Sequence, residues 1–313
     1  MALSVFIVIA SLVLSTAQGA ATPSNTKGCG TKHSFAGKTQ EFGINSNGRH
    51  RTYRLHLPSK YDAKTPTPLL IAYHGMGNEP VKFEGQTRFS DESVNPHMIA
   101  VYPAGVNNSW QGAPYAVPHV NDEAFTMDLL THIKDHYCID ESRVYASGHS
   151  NGGGFCDVLA CSRDVGAQFA AFAPISGAFY TEFQGNAKCD AAAAAASKSW
   201  PRPMFEVHGT GDKRVPYDGR KSGGNGPLPS IPAWVSAWAK RNGCSAPVAT
   251  DLGHGVHDYR YECRGIVDGL EHIKVDGMSH AWPGPGSPLQ DVSARVIGFL
   301  NKHRRGGEMR KRG

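Results

Sequence analysis

Six short apolar runs recur along the chain: "LLIAYHG", "HMIAVYP", "RVYASG", "QFAAFAPIS", "PMFEVHG" and "EHIKVDG". They are short for helices and too continuously apolar for strands with one wetted face, so they suit strands buried on both sides. Between them, "NDEAFTMDLLTHIKDHY", "GGGFCDVLACSRD", "IPAWVSAWAKRNG" and "LQDVSARVIGFLNKHR" return apolar residues at helical spacing. Alternating strand and helix predicts an α/β fold, a mostly parallel central sheet with helices on both faces and right-handed crossovers. "RTYRLHLP" (51–58) alternates apolar and polar residues after an Asn47-Gly48 turn and is expected as an antiparallel edge hairpin. In open sheets of this kind, sites form beyond the carboxyl ends of the strands.

One such end carries "YASGHSNGGGF" (145–155), where Ser150 stands between Gly148 and Gly152. Glycine and serine clusters are often plain loops. Here a buried strand precedes and a helical pattern follows, which places Ser150 on a sharp strand-to-helix turn with its hydroxyl projecting, the context of a nucleophile elbow. Glycines on either side let strand and helix pass closely. The start of the helix also leaves backbone N–H groups without partners beside the serine, favouring negative charge there.

A serine hydroxyl is a weak nucleophile and needs a base, which in turn needs an orienting acid. In the α/β-hydrolase arrangement the order is serine, acid, histidine. His280, in the Gly/Pro-rich "DGMSHAWPGPG" after the last strand, is the candidate base, ahead of His254, His257, His272 and His303. Asp212, in "FEVHGTGDKRVPY" at a strand end, is the candidate acid, with Asp218 and Asp251 as alternates. Two N–H donors should hold the oxyanion: that of Asn151, after the nucleophile, and that of Met76 in "HGMG", with Gly75 as the alternative. His74 reads as structural. Trp110 and Trp282 are candidates for stacking on an aromatic acyl group, with core packing an equal alternative for each.

Composition bounds the setting. Residues 2–15 form an apolar run followed by "TAQGA", read as a secretory signal over residues 1–19. The basic n-region is missing, so a membrane anchor competes, but the run is short of the roughly 20 residues of a spanning helix. Residues 20–303 are expected to form a single catalytic domain, and 304–313 a basic disordered tail. The net charge is +5, and "NKHRRGGEMRKRG" alone holds six Lys/Arg against one Glu, so a nucleic-acid partner has little support. The alanine run 191–196 is expected as an exposed or helical insertion. Seven cysteines behind a secretory signal argue for disulfides with one thiol left over; Cys244 and Cys263 are the expected pair. Asn107-Asn108-Ser109 is a glycosylation acceptor.

With "HGMG", "GHSNGGG", "HGTGD" and "GMSHAWPG" in order, the chain resembles the secreted feruloyl esterases of carbohydrate esterase family one, particularly the fungal branch similar to polyhydroxybutyrate depolymerases. The likeness runs from about Cys29 to the final helix. It implies an extracellular α/β-hydrolase, without cofactor, that cleaves hydroxycinnamic esters from feruloylated plant cell-wall arabinoxylan; a monomer with no metal and no membrane partner is expected beside it. Carried over by motif, the triad is Ser150, Asp212 and His280. Two features depart from relatives of this group: His149 and Ser279 stand where one subgroup joins serine and histidine by neighbouring cysteines, and no carbohydrate-binding module is attached. An acetyl xylan esterase or polyhydroxybutyrate depolymerase would use the same triad. A catalytically silent binding protein is the reading from another class, and its expected mark, a lost triad member, is missing.

Overall fold

A computed structural model describes residues 26–196 and 201–306. The segment read as a secretory signal and residues 307–313 lie outside the described residues. The elements in chain order are β1 (Lys38–Ser46), β2 (Arg49–Leu57), β3 (Thr67–Tyr73), α1 (Pro80–Thr87), β4 (Ile99–Pro103), α2 (Asp122–His136), β5 (Ile139–His149), α3 (Asn151–Cys161) and α4 (Arg163–Gly166). Then follow β6 (Ala171–Ile175), α5 (Ala187–Ala196), β7 (Met204–Gly209), α6 (Ile231–Asn242), β8 (Val248–Asp251), β9 (Val256–Cys263), β10 (Ile266–Val275) and α7 (Val292–Leu300). All ten strands form one sheet in the order β1-β2-β4-β3-β5-β6-β7-β10-β9-β8.

The six apolar runs form its parallel centre, from β4 to β10. Every residue of β3 is buried, and the strand feeds two cores. Leu69, Ile71 and Tyr73 pack with Phe125 and Leu129 of α2, Phe155 of α3 and Trp234 of α6. Leu70 and Ala72 join Phe83 of α1 and Val296 and Phe299 of α7 on the other side. Side chains alternate across a strand, so burial on both faces requires helices on both. The hairpin is present as expected: Ser46 pairs with Arg49, and Asn47 and Gly48 take φ of 49° and 71°, the conformation a two-residue hairpin turn demands.

The polar stretch between Cys244 and Cys263 is regular structure. It forms β8 and β9, which extend the sheet antiparallel beyond β10. The two cysteines are joined, as are Cys29 with Cys138 and Cys161 with Cys189, leaving Cys156 as a buried free thiol. The alanine run lies within α5, tied down by Cys189 and by Asp190 against Arg241. A tail beginning at 304 is corrected at its first residues: Arg305 donates to Glu141 O and Ala167 O, so it belongs to the packed body. Among the described residues, no helix is long and apolar enough to cross a membrane.

Helix α3 carries the site and is held from behind. Its buried Asp157 accepts the indole N–H groups of both Trp234 and Trp238, each at 2.8 Å. Burial, reinforced by nearby Glu182, pushes its carboxyl up to about 7, so the contact fastens α3 to α6 with a charge that is readily lost.

Candidate active site

Ser150 follows β5 directly and precedes α3, with φ 55° and ψ −116°. A non-glycine residue at positive φ is strained, and the surroundings hold it there: Ser150 N–H donates to Ile175 O at 3.0 Å, and its carbonyl accepts from Gly154 and Ala178, both at 2.9 Å. The glycines have a steric reason. A methyl group at Gly152 would run into the carbonyls of Tyr73 and His74, and one at Gly148 into the backbone of Gly152.

The structure brings Ser150, His280 and Asp212 into one line. His280 Nε2 lies 2.8 Å from Ser150 Oγ, and its Nδ1 lies 2.6 Å from Asp212 Oδ2. An ionised carboxylate only accepts, so Nδ1 carries the hydrogen and Nε2 is left to accept the serine O–H. Asp212 Oδ1 accepts the N–H groups of Arg214 and Val215, each at 2.8 Å. Burial opposes ionisation of this carboxyl, but hydrogen bonds from His208, His280 and Val215 outweigh it and hold it far below the usual carboxylate range. The alternates fall elsewhere: Asp251 lies on the exposed edge strand β8, His257 pairs with Asp276, and His272 is engaged behind the site.

That engagement was not foreseen. Glu206 and His208 point the same way from β7, where both are completely buried. His208 Nδ1 meets Glu206 Oε1 at 2.9 Å, while its Nε2 meets Val215 O at 2.8 Å and Asp212 Oδ2 at 3.3 Å. Each partner is an acceptor, so both ring nitrogens donate and His208 is an imidazolium. Burial disfavours the charge, but hydrogen bonds to Asp212 and Glu206 raise the group to about 9. The other Glu206 oxygen accepts from His272 Nδ1 at 2.7 Å, whose Nε2 meets Tyr217 OH at 2.9 Å. The available signal was a Glu and a His at alternate positions of a strand too apolar to leave them in water.

Of the two residues proposed as oxyanion donors, Asn151 directly follows the serine and Met76 lines the same cavity. Asn151 opens α3, so its N–H has no partner within the helix, and its side chain is spent on the Trp110 backbone, accepting from N–H at 2.8 Å and donating to C=O at 3.2 Å. The "HGMG" loop is fixed by its neighbours: Gly77 donates to Asn108 O and Asn78 to Gly75 O. His74 Nδ1 donates to Gly75 O and its Nε2 accepts from Gly105 N–H. This neutral tautomer suits its burial, which lowers the pKa of the ring, and agrees with the structural reading of His74. His149 is buried against the His280 ring, with centroids 4.9 Å apart. Burial first, then the neighbouring His280, lower it to about 3.

Both tryptophan candidates are corrected as stacking platforms. Trp110 is fully buried, its indole N–H on His74 O and its ring stacked on Phe155. Trp282 packs edge-on to Phe83 and Phe89 and donates to Ser293 Oγ. An indole satisfied in this way presents no face to a ligand. The cavity over Ser150 and His280, about 320 Å³, is lined instead by Met76, Tyr115, Tyr180, Val215 and a set of basic side chains.

The family model described as "Putative esterase" matches residues 44–219, more than half of the chain, with Ser150 and Asp212 inside the match. The chain belongs to this esterase family. The esterase is 28% identical over 279 residues to "Probable feruloyl esterase C" of Aspergillus niger, covering 82% of this chain and 91% of that protein. It is 28% identical over 290 residues to "Feruloyl esterase C" of Emericella nidulans, covering 87% and 91%. Among solved structures, an acetyl xylan esterase from Aspergillus awamori superposes with a TM-score of 0.59 at 16% identity, over 84% of this chain and 99% of that one. That likeness establishes the α/β-hydrolase type of fold, and the family establishes a carboxylic ester hydrolase.

Proposed function

We propose that the esterase is a secreted serine hydrolase that releases ferulic or related hydroxycinnamic acids from plant cell-wall arabinoxylan. The observation that carries the chemistry is the unbroken Ser150–His280–Asp212 line at the floor of the cavity. His280 Nε2 takes the proton of Ser150 Oγ as the oxygen attacks the ester carbonyl. Asp212 stabilises the resulting imidazolium, and the N–H groups of Met76 and Asn151 hold the oxyanion. The imidazolium then protonates the departing sugar alcohol, and a water activated by His280 frees the acid from Ser150. No step calls for a cofactor.

The acyl preference rests on the feruloyl esterases to which the chain is similar and on Tyr115, Tyr180 and Met76, which give the cavity aromatic and polarisable walls. Secretion is supported by the three disulfides, and the exposed Asn107 is a proposed glycosylation position. The test is turnover of methyl ferulate beside p-nitrophenyl acetate by the purified protein. Higher kcat/KM on methyl ferulate is expected. Turnover of the acetate alone would retain the triad and transfer the substrate to an acetylated xylan or a polyester.

A further inference from the structure

The walls of the cavity over Ser150 are unusual in charge. Lys213, Arg214 and Arg220 line it, and none of its lining residues is a carboxylate. Lys213 and Arg214 are exposed, and among the described residues none of the three cations enters an ion pair. Arg220 is the most constrained. Its Nε and Nη2 both donate to Gly226 O, at 3.1 and 2.8 Å, and its Nη1 donates to Arg214 O at 3.1 Å. The guanidinium also lies close against Gly224, where an added methyl would meet Cζ at 2.8 Å.

Backbone carbonyls fix the plane of a guanidinium but do not cancel its charge. A half-buried, pre-oriented cation in the same cavity as a reactive serine is therefore poised for an anion, and Tyr180, edge-on to Tyr115 with ring centroids 5.8 Å apart, adds a hydroxyl-bearing side chain to the same lining. A second cavity on the other side of Arg220, about 470 Å³, shows the contrast: there Glu182, Asp190 and Asp218 offset the basic residues. The chamber that holds Ser150 carries three basic side chains and no carboxylate, against four basic and three acidic side chains around the second cavity.

We propose that this chamber selects esters that carry a carboxylate close to the scissile bond, read by Arg220, Arg214 and Lys213. This rests on the serine esterase reading and narrows it. Arginine matches a carboxylate with two parallel hydrogen bonds, and like-signed walls around a low-dielectric mouth raise the local concentration of an anionic substrate. The carboxylate belongs either to the acyl group, as in a half-ester of a diacid, or to the alcohol, as in a uronic acid of a branched polysaccharide.

Two matched pairs separate these sources. On the acyl side, mono-p-nitrophenyl glutarate is compared with its methyl ester; on the alcohol side, feruloylated glucuronic acid is compared with feruloylated glucuronamide. The expected result is a preference of about 10-fold or more in kcat/KM for the anionic member of one pair. That ratio should shrink in 0.5 M salt and fall towards one in Lys213→Ala/Arg214→Ala, whose exposed side chains leave folding intact, and in Arg220→Gln. Equal kcat/KM within both pairs, or a ratio that the double variant does not change, overturns the proposal while the esterase stands. Failure of the folded parent to hydrolyse any of the four esters overturns both.

Discussion

Replacing His208 with glutamine removes the buried cation behind Asp212, and the consequence can be worked out. The imidazole titrates at about 9 in the folded protein against 6.5 as a free side chain, a difference worth about 3 kcal/mol. A group whose folded pKa is raised holds its proton more tightly when folded. Its stabilisation is therefore complete below pH 6.5 and is lost as the pH rises through about 9. Asp157 and Glu271, both raised to about 7, lose most of theirs at lower pH, so the window from 7.5 to 9.5 isolates His208. For a domain of this size 3 kcal/mol corresponds to roughly 6 °C in Tm. Thermal melts of parent and His208→Gln from pH 6 to 9.5 should show a gap of about that size at pH 6 that closes towards pH 9.5, with most of the closure between 7.5 and 9.5. Subtraction removes what the two proteins share, such as ionisation of Cys156 on unfolding. A gap independent of pH would refute a charged His208 and leave a hydrogen bond between neutral groups.

Three further outcomes follow from the same geometry. Asp212→Asn should lower kcat by about 10⁴-fold with unchanged circular dichroism, since it disturbs the imidazole hydrogen bond and not the fold; a loss under 10-fold would remove Asp212 from its role. Trp282→Ala should lose about 3–5 kcal/mol of stability, seen in denaturant melts, because the ring fills the space between Phe83 and Phe89; unchanged stability with a raised KM would restore it as a substrate platform. Gly152→Ala should cost about 1–3 kcal/mol together with activity, because its methyl group displaces β3 from α3, and wild-type turnover in that variant would show that the elbow tolerates the volume.

The sheet was legible where burial left no choice. Leu69 to Tyr73 can only be a strand covered on both faces, and Asn47-Gly48 can only be a tight reversal. Strands β8 and β9 escaped because a sheet edge tolerates polar residues: all of β8 is exposed and β9 alternates, a pattern that also describes a loop. At the site, Ser150, Asp212 and His280 were recognisable because each stands at a strand end in a glycine-bearing turn. The tryptophans stayed open between two roles because aromatic residues near a reactive centre serve packing and binding alike, and only the burial of each ring among its neighbours separates the two. Glu206 and His208 passed unnoticed for a related reason: pairing across the sheet with His272 depends on strand order, which a single sequence does not display.

The claim that Ser150 is the nucleophile is tested most directly by trapping the acyl-enzyme. Parent protein mixed with excess methyl ferulate, quenched in acid within milliseconds and digested, should yield a feruloyl adduct on the peptide containing Ser150, and Ser150→Ala should yield neither adduct nor turnover. An adduct on another residue, or turnover by Ser150→Ala close to that of the parent, would contradict the account.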